Sequence, residues 1–291
     1  MAVLTAQRIS SLAVALLTRS LVLPMTVSRI PGAEFSGDNG DKITVRVRQP
    51  RAARKQVTPG TDIVFDAINE VPVEVTLTHL YDAARLTDEE MSLDIVDFGV
   101  QVTQPQVAAV GIGAEDELAA AMNVLTPDAA FAETATPSDT DDAILAAREA
   151  LSSADVPAGD RFLAVAPDIT TRLLKVEKFV RADAVGDGTA IREAIMGRIY
   201  GFTVVESNGL DAGTALAYHR SGFAFANRVP VAPRGLPSNQ VGTATSGGIS
   251  MRQIFQYETK NLRDQSVLST FAGANVVQRP RVFKLAVDGE S

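Results

Sequence analysis

Gly186-Asp187-Gly188, followed by the run GRIYGFTVVESNGL from Gly197 to Leu210, has the outline of a phosphate cradle. A dinucleotide cradle needs a strand, three glycines spaced G-x-G-x-x-G, a helix, and an acidic residue about 20 positions further on. Here the third glycine is missing, the preceding VRADAV is a weak strand, and no G-K-[ST] occurs in the chain. The glycines are therefore read as starting and stopping a short helix over GTAIREAIMG, with Gly197 on its C-terminal side. Gly201 is read as admitting a close approach in the strand RIYGFTVVES.

Other chemistries fare no better. His79 and His219 lie far apart in the chain with no ligand pattern beside either, so both are read as structural. No Asp-rich loop with a closing Glu offers calcium a site. ESNG and ATSGG do not supply the G-x-S-x-G of a nucleophile elbow. The absence of cysteine removes disulfides, thiolate metal sites and thiol nucleophiles together. A hydrolase working through two of the 35 carboxylates is the catalytic alternative, although no local pattern marks a pair. The chain is read as non-enzymatic, with no catalytic, cofactor or metal residues.

Composition points the same way. With 46% hydrophobic and 21% charged residues, 291 residues suit a globular chain of one large or two ordinary domains. A net charge of −8 and only 5% aromatics argue against sequence-specific nucleic-acid binding. The charge is uneven. Six basic residues fall between Lys42 and Lys55, whereas acidic residues gather from Asp82 to Asp97 and again at 115–117 and 139–142. Two readings stand: solvated faces, or complementary patches on neighbouring copies of one chain.

The elements that would carry these patches follow from periodicity. Ile9, Leu12, Leu16 and Leu17 recur at helical spacing, giving an amphipathic arm that needs a surface to lie on. DKITVRVRQ (41–49) and VPVEVTLTHL (71–80) alternate as strands around a basic tip ending in Thr58-Pro59-Gly60. Such an isolated two-stranded excursion is marginal in water and should rest on another chain. TDEE, Thr87 to Glu90, is a capping box. Val107, Val110, Ala114, Leu118, Met122 and Leu125 trace one face of a long helix, despite Gly111 and Gly113. A polar break at 134–142 leads to a helix carrying Ile144, Leu145, Ala147 and Leu151. A strand RFLAVA, a helix opened by Pro167, and strands SMRQIFQYET and RVFKLAV complete an α+β pattern.

The order of these parts resembles that of the major capsid (coat) proteins of tailed bacteriophages, which have the Hong Kong 97 fold. The branch typified by a Salmonella phage is the nearest in pattern. The likeness runs through LTAQRISSLAVALLTRSLVLPMTV, GDKITVRVRQP, LTDEEMSLDI, RFLAVAPDITTRLLK, GRIYGFTVVESNGL, NRVPVAPRG and FAGANVVQRPRVFKL. It implies an N-terminal arm (1–36), an extended β-hairpin loop (37–80), a peripheral domain with a long spine helix (81–135 and 262–291), and an axial domain (136–261). The axial segment is too short for the large inserted domain of that branch.

On this likeness Arg46, Arg48, Arg51, Arg54 and Lys55 lie on a loop that crosses a neighbouring subunit, and Asp88, Glu89, Glu90 and Asp94 belong to a partner surface. Lys42 or Lys55 could serve in the crosslinks some relatives make, with Asn275 as an acceptor. The implied partners are further copies in hexamers and pentamers, a separate scaffolding protein, a portal protein, an optional decoration protein, and packaged double-stranded DNA. No membrane is involved. Such shells assemble in the host cytoplasm and become the virion capsid. The alternative within the same fold is an encapsulin-like compartment shell.

Overall fold

The computed structural model describes residues 22–30, 41–48, 51, 53–60, 62–65, 67–94, 97–131, 137–176, 197–237, 240–246 and 249–287. The expected arm helix before Val22 and the expected helix over GTAIREAIMG lie outside these residues.

The first sheet is built around one long strand. After β1 (Ser28–Ile30), β2 (Lys42–Arg48) and β3 (Glu70–Thr76), the chain runs through β4 (Thr78–Thr87), β5 (Ala129–Phe131), β6 (Arg161–Val165), β7 (Arg198–Ile199), β8 (Phe202–Glu206) and β9 (Thr214–His219). The remaining strands are β10 (Phe223–Arg228), β11 (Val241–Ser246), β12 (Ile249–Glu258), β13 (Arg263–Val276) and β14 (Val282–Val287). Sheet one has the order β1-β10-β13-β12-β11, with β4 also paired to β13. β13 holds β12 along 263–269, β10 along 271–276 and β4 along 263–272, all antiparallel. Sheet two has the order β5-β14-β9-β6-β8-β7.

Strand composition explains the second sheet. All of Thr214–Tyr218 in β9 is buried, with successive side chains entering opposite cores. Leu216 and Tyr218 face the core shared with the first sheet, whereas Ala215 and Ala217 face the second core. A strand covered on both faces needs apolar residues at every position, which is why RFLAVA and TALAY do not alternate.

Among the described residues, the helices longer than a single turn that cover these sheets are α1 (Gln104–Asn123), α2 (Pro137–Ser153) and α3 (Pro167–Leu174). The α1 stripe Val107, Val110, Ala114, Leu118 and Met122 is buried against Met251, Leu268 and Ala272 of sheet one and against Leu216 and Tyr218 of sheet two. A π-helical segment, Gly99–Thr103, leads into it. α2 and α3 bury Ile144, Ala147, Leu151, Ile169 and Leu173 on the far face of sheet two.

Pairing cuts across the expected division of the chain. Residues 223–258, expected with the axial segment, hydrogen-bond into the sheet of β4 and β13; β14, expected with the peripheral segment, lies inside sheet two. The reason is topological: the chain passes between the sheets at 219–223 and again at 276–282. The single strand expected over 71–80 is also two strands. It breaks at Leu77, whose amide donates to the carbonyl of Asp41 (2.8 Å). His79 consequently lies near the start of β4, its ring 4.6 Å from that of Phe271.

The glycine expectation shifts in the same way. Gly201, with φ +90° and open space around it, makes the β7–β8 turn rather than a close approach. Close approach falls instead at Gly209, where a Cβ would meet that of Ala119 at 2.9 Å.

Candidate subunit-interface surface

β2 and β3 form a separate two-stranded sheet in the register Ile43↔Val75, Val45↔Val73 and Val47↔Val71. Period-two alternation puts these six aliphatic side chains on one face, as the sequence predicts. That face is packed at its base only. Ile43 and Val75 are buried against Ala224 and Ala226, with Val45 partly covered. Farther out Val71 is exposed, and beyond it the connecting loop carries Val57, Ile63, Val64, Phe65 and Ile68 largely in solvent; Phe65 is 89% exposed. Full burial of each such side chain is worth about 1.5–3 kcal/mol. A single protruding loop that forgoes all of them is built to be covered by another surface. The expected turn at Thr58-Pro59-Gly60 is present, Gly60 taking φ +87°.

The predicted basic residues sit on this element. Arg46 and Arg48 flank Glu70, at 3.7 and 3.9 Å, across the hairpin. Arg51, Arg54 and Lys55 are exposed in the loop. Lys42 pairs with Glu74 (3.3 Å), and Asn275 donates to the carbonyl of Glu74 (2.7 Å), so these two of the three groups named for a crosslink are engaged within one chain at the hairpin base.

The predicted acidic residues occupy the other end of β4, which spans roughly 30 Å at about 3.4 Å per residue. Two of the four do local work. Glu90 accepts from the amide and hydroxyl of Thr87 (2.8 and 2.9 Å), while its own amide donates to Thr87 Oγ1 (3.3 Å), the reciprocal capping box. These bonds hold the Glu90 carboxyl below the ordinary glutamate range. Asp88 accepts from the Tyr257 hydroxyl (2.8 Å). Glu89 and Asp94 are exposed. The structure therefore does not bring the basic and acidic sets together as one surface.

Sequence reasoning missed two features. One is the apolar loop run Ile63-Val64-Phe65, whose signal was present: three consecutive large apolar residues between polar neighbours. The other is the root of the arm. The helical turn Leu23–Thr26 is wedged against α1 and β9, with Leu23 fully buried. Glu115 of α1 accepts from the Ser207 hydroxyl (2.9 Å) and from the amides of Leu23 and Val22. Burial nevertheless pushes its carboxyl up, with the Asp116 charge beside it a smaller contribution. Thr26 Oγ1 gives its one proton to the Leu23 carbonyl (2.7 Å), so the Tyr218 hydroxyl, 2.5 Å away, is the donor to Thr26. Burial raises the Tyr218 pKa far above its usual value.

Two clefts accompany these features. One of about 330 Å³ lies at the hairpin base, between Leu77, Phe271 and Arg228–Val231. Another of about 270 Å³ places Glu115, Asp116 and Glu206 around Ser207–Gly209. In the second, Glu115 already serves the arm root. Among the described residues, no group of three or more His, Cys, Asp or Glu is placed to hold a metal ion. His219 caps the 3-10 turn Arg220–Gly222, its Nδ1 accepting from the Ser221 amide (3.2 Å).

The fold as a whole is shared with solved capsid structures. The capsid of cyanophage P-SCSP1u matches with a TM-score of 0.69 and 13% identity, over 93% of this chain and 89% of that one. The structure from Mycobacterium phage Che8 matches at 0.66 and 18%, over 91% of each chain. The holo-SrpI encapsulin complex from Synechococcus elongatus matches at 0.52 and 14%, over 93% and 89%. No family model and no curated relative matches the chain. The fold is that of the Hong Kong 97-type capsid proteins, an α+β architecture.

Proposed function

We propose that this chain is a major capsid protein that assembles as hexamers and pentamers into an icosahedral shell around packaged double-stranded DNA. The observation that carries the reading is the hairpin, which buries its apolar face at the base and leaves Val57, Ile63, Val64, Phe65 and Ile68 uncovered. One chain cannot satisfy that surface; a ring of copies can, each covering the next. The role is structural rather than catalytic.

Arg46, Arg48, Arg51, Arg54 and Lys55 are proposed to set register as the loop lies on its neighbour, with exposed Glu89 and Asp94 among the opposing charges. Asp88 and Glu90 contribute by shaping that end of β4. Following the pairing, the peripheral domain comprises sheet one with α1, and the axial domain sheet two with α2 and α3. A scaffolding protein, a portal and a decoration protein are the partners this role would require or accept, and the virion capsid is its place.

A compartment shell around enzyme cargo is the second reading, supported by the encapsulin match at the lower TM-score. Expression of the chain alone, followed by sedimentation and electron microscopy, tests the reading. Closed shells support it. Monomers that also refuse to assemble with a co-expressed scaffolding protein overturn it. Shells purified from the native source separate the alternatives by content, DNA or enzyme.

A further inference from the structure

Arg29, Arg220 and Arg281 come from three distant parts of the chain and converge where β1, the β9–β10 connection and the β13–β14 connection meet. Ser28 Oγ donates to the Arg220 carbonyl (3.2 Å), and the Arg220 guanidinium donates to the Met25 carbonyl (3.0 Å). Arg29 Nε donates to the Pro24 carbonyl (3.1 Å). Arg281 donates to Ser221 Oγ, which lies 2.9 Å from His219 Nδ1. The amides of Val277 and Gln278 both donate to the Gly222 carbonyl, which fixes the turn at 279–281 against the turn at 220–222. Arg161, opposite His219 in sheet two, adds a fourth guanidinium; it donates to the carbonyls of Val156 and Pro157 and to Ser152.

Each partner named for these four guanidiniums is a neutral carbonyl or hydroxyl, and among the described residues none of the four forms an ion pair. Asp160 is the acidic side chain acting on His219 there. The crowding is felt by the groups themselves. Burial first, and then Arg220, lowers the Arg29 pKa. Burial first, and then Arg281, lowers that of His219. On a chain of net charge −8, a notch where, among the described residues, Asp160 is the one carboxylate set against several guanidiniums keeps a cationic excess suited to an external anion.

We propose that Arg29, Arg220 and Arg281 form a phosphate-binding site that holds the backbone of duplex DNA without reading its sequence. Three cations exceed what one carboxylate neutralises, whereas duplex DNA presents a charge about every 1.7 Å. Each guanidinium commits only one nitrogen to protein, which leaves the rest of its fork for phosphate oxygens. This inference rests on the capsid reading for the presence of DNA, while the chemistry of the site stands apart from it.

The test is fluorescence anisotropy of a labelled duplex of arbitrary sequence with the unassembled full chain, measured against salt. Three phosphate contacts give a log–log salt slope near −2.7, about −0.9 for each. The triple variant Arg29→Gln/Arg220→Gln/Arg281→Gln is expected to lose at least about ten-fold in affinity and most of that slope. The triple Arg→Lys variant retains the charge and should recover much of the slope, which a merely structural role would not produce. Should the triple variant fail to fold, each single Arg→Gln change is expected to reduce the slope by about 0.9.

Inorganic phosphate at constant ionic strength is expected to compete better than chloride. Unchanged affinity and slope in the variants, phosphate no better than chloride, or polyglutamate binding as tightly as DNA would each overturn the site. Shell formation by the same variants is scored separately. Intact shells without DNA binding in wild type sink this site alone, and DNA binding without shells, even with a co-expressed scaffolding protein, sinks the capsid reading alone.

Discussion

Gly273 tests how the hairpin is fastened to the body. A Cβ added there would stand 1.9 Å from the Thr76 carbonyl oxygen and 3.3 Å from the Leu77 Cα, whereas real Cβ atoms stay beyond about 3.0 Å. The obstacle is backbone, so no rotamer change relieves it, and Gly273→Ala must drive β3 away from β13 by about 1 Å. Overpacking of this kind costs about 1–3 kcal/mol. Two hydrogen bonds are placed at risk, Leu77 amide to Asp41 carbonyl and Asn275 to Glu74 carbonyl, at about 1 kcal/mol each. The sum is about 3–5 kcal/mol. If the hairpin instead swings free, the loss is burial of Ile43 and Val75, about 3–6 kcal/mol for the pair, so the two routes overlap.

At roughly 2–4 °C per kcal/mol, the thermal midpoint should fall by about 6–20 °C, read by scanning fluorimetry on the unassembled chain. Limited proteolysis should open the hairpin in parallel. Gly159→Ala is the control, since its Cβ would meet nothing within 4 Å. A Gly273→Ala midpoint within about 1 °C of wild type, with unaltered proteolysis, would refute the fastening argument.

Four further outcomes follow from the geometry. Phe65→Ser should abolish or sharply reduce shell yield by sedimentation while leaving the monomer's thermal midpoint unchanged, because a side chain 89% exposed contributes little to the isolated fold. Arg46→Glu/Arg48→Glu/Arg51→Glu should weaken assembly without unfolding the chain, and raised salt should weaken wild-type assembly in the same assay; shells indifferent to both would remove these residues from the interface. Tyr218→Phe should cost about 1–2 kcal/mol by denaturant titration, since the phenol is the donor to Thr26 at the arm root.

Glu115→Gln concerns pH. A carboxyl whose folded pKa is raised costs stability once it is ionised, and the cost fades as pH falls through the folded pKa toward the unfolded value. The midpoint of wild type relative to Glu115→Gln should therefore improve on going from neutral pH toward pH 5, and a constant difference would show that the arm-root bonds outweigh burial.

Much of this architecture is legible in local pattern. The hairpin strands, the α1 stripe, the capping box at Thr87 and the Pro167 helix start each depend on residues within a few positions of one another, where periodicity and turn chemistry act. The α1 glycines obscured that helix without ending it. Gly113 faces Leu80 of β4, where a Cβ would make an ordinary contact 3.6 Å from its Cδ1, so the packing there does not itself demand glycine. Pairing across long separations is not legible. Nothing in VTLTH marks Leu77 as a break, because both halves alternate alike. Nothing in SMRQIFQYET says that it joins β13 rather than β9. The proposed interface was half legible: its charges stood out by clustering, whereas Ile63-Val64-Phe65 looks like any buried run until the structure shows it uncovered.

The central place of β13 has a consequence for biosynthesis. Sheet one acquires its middle strand only when residues 263–276 have been made, and sheet two acquires β14 only with 282–287. Until then β4, β10 and β12 are strands lacking their shared neighbour, and β5 and β9 lack β14. A nascent chain of this kind can form α1, α2 and the hairpin early, yet it must hold unpaired edges until β13 and β14 have emerged. Completion of both sheets therefore waits for residues 282–287. If copies of the chain build a shell, as proposed, premature edge pairing between them during that interval competes with the shell's ordered contacts.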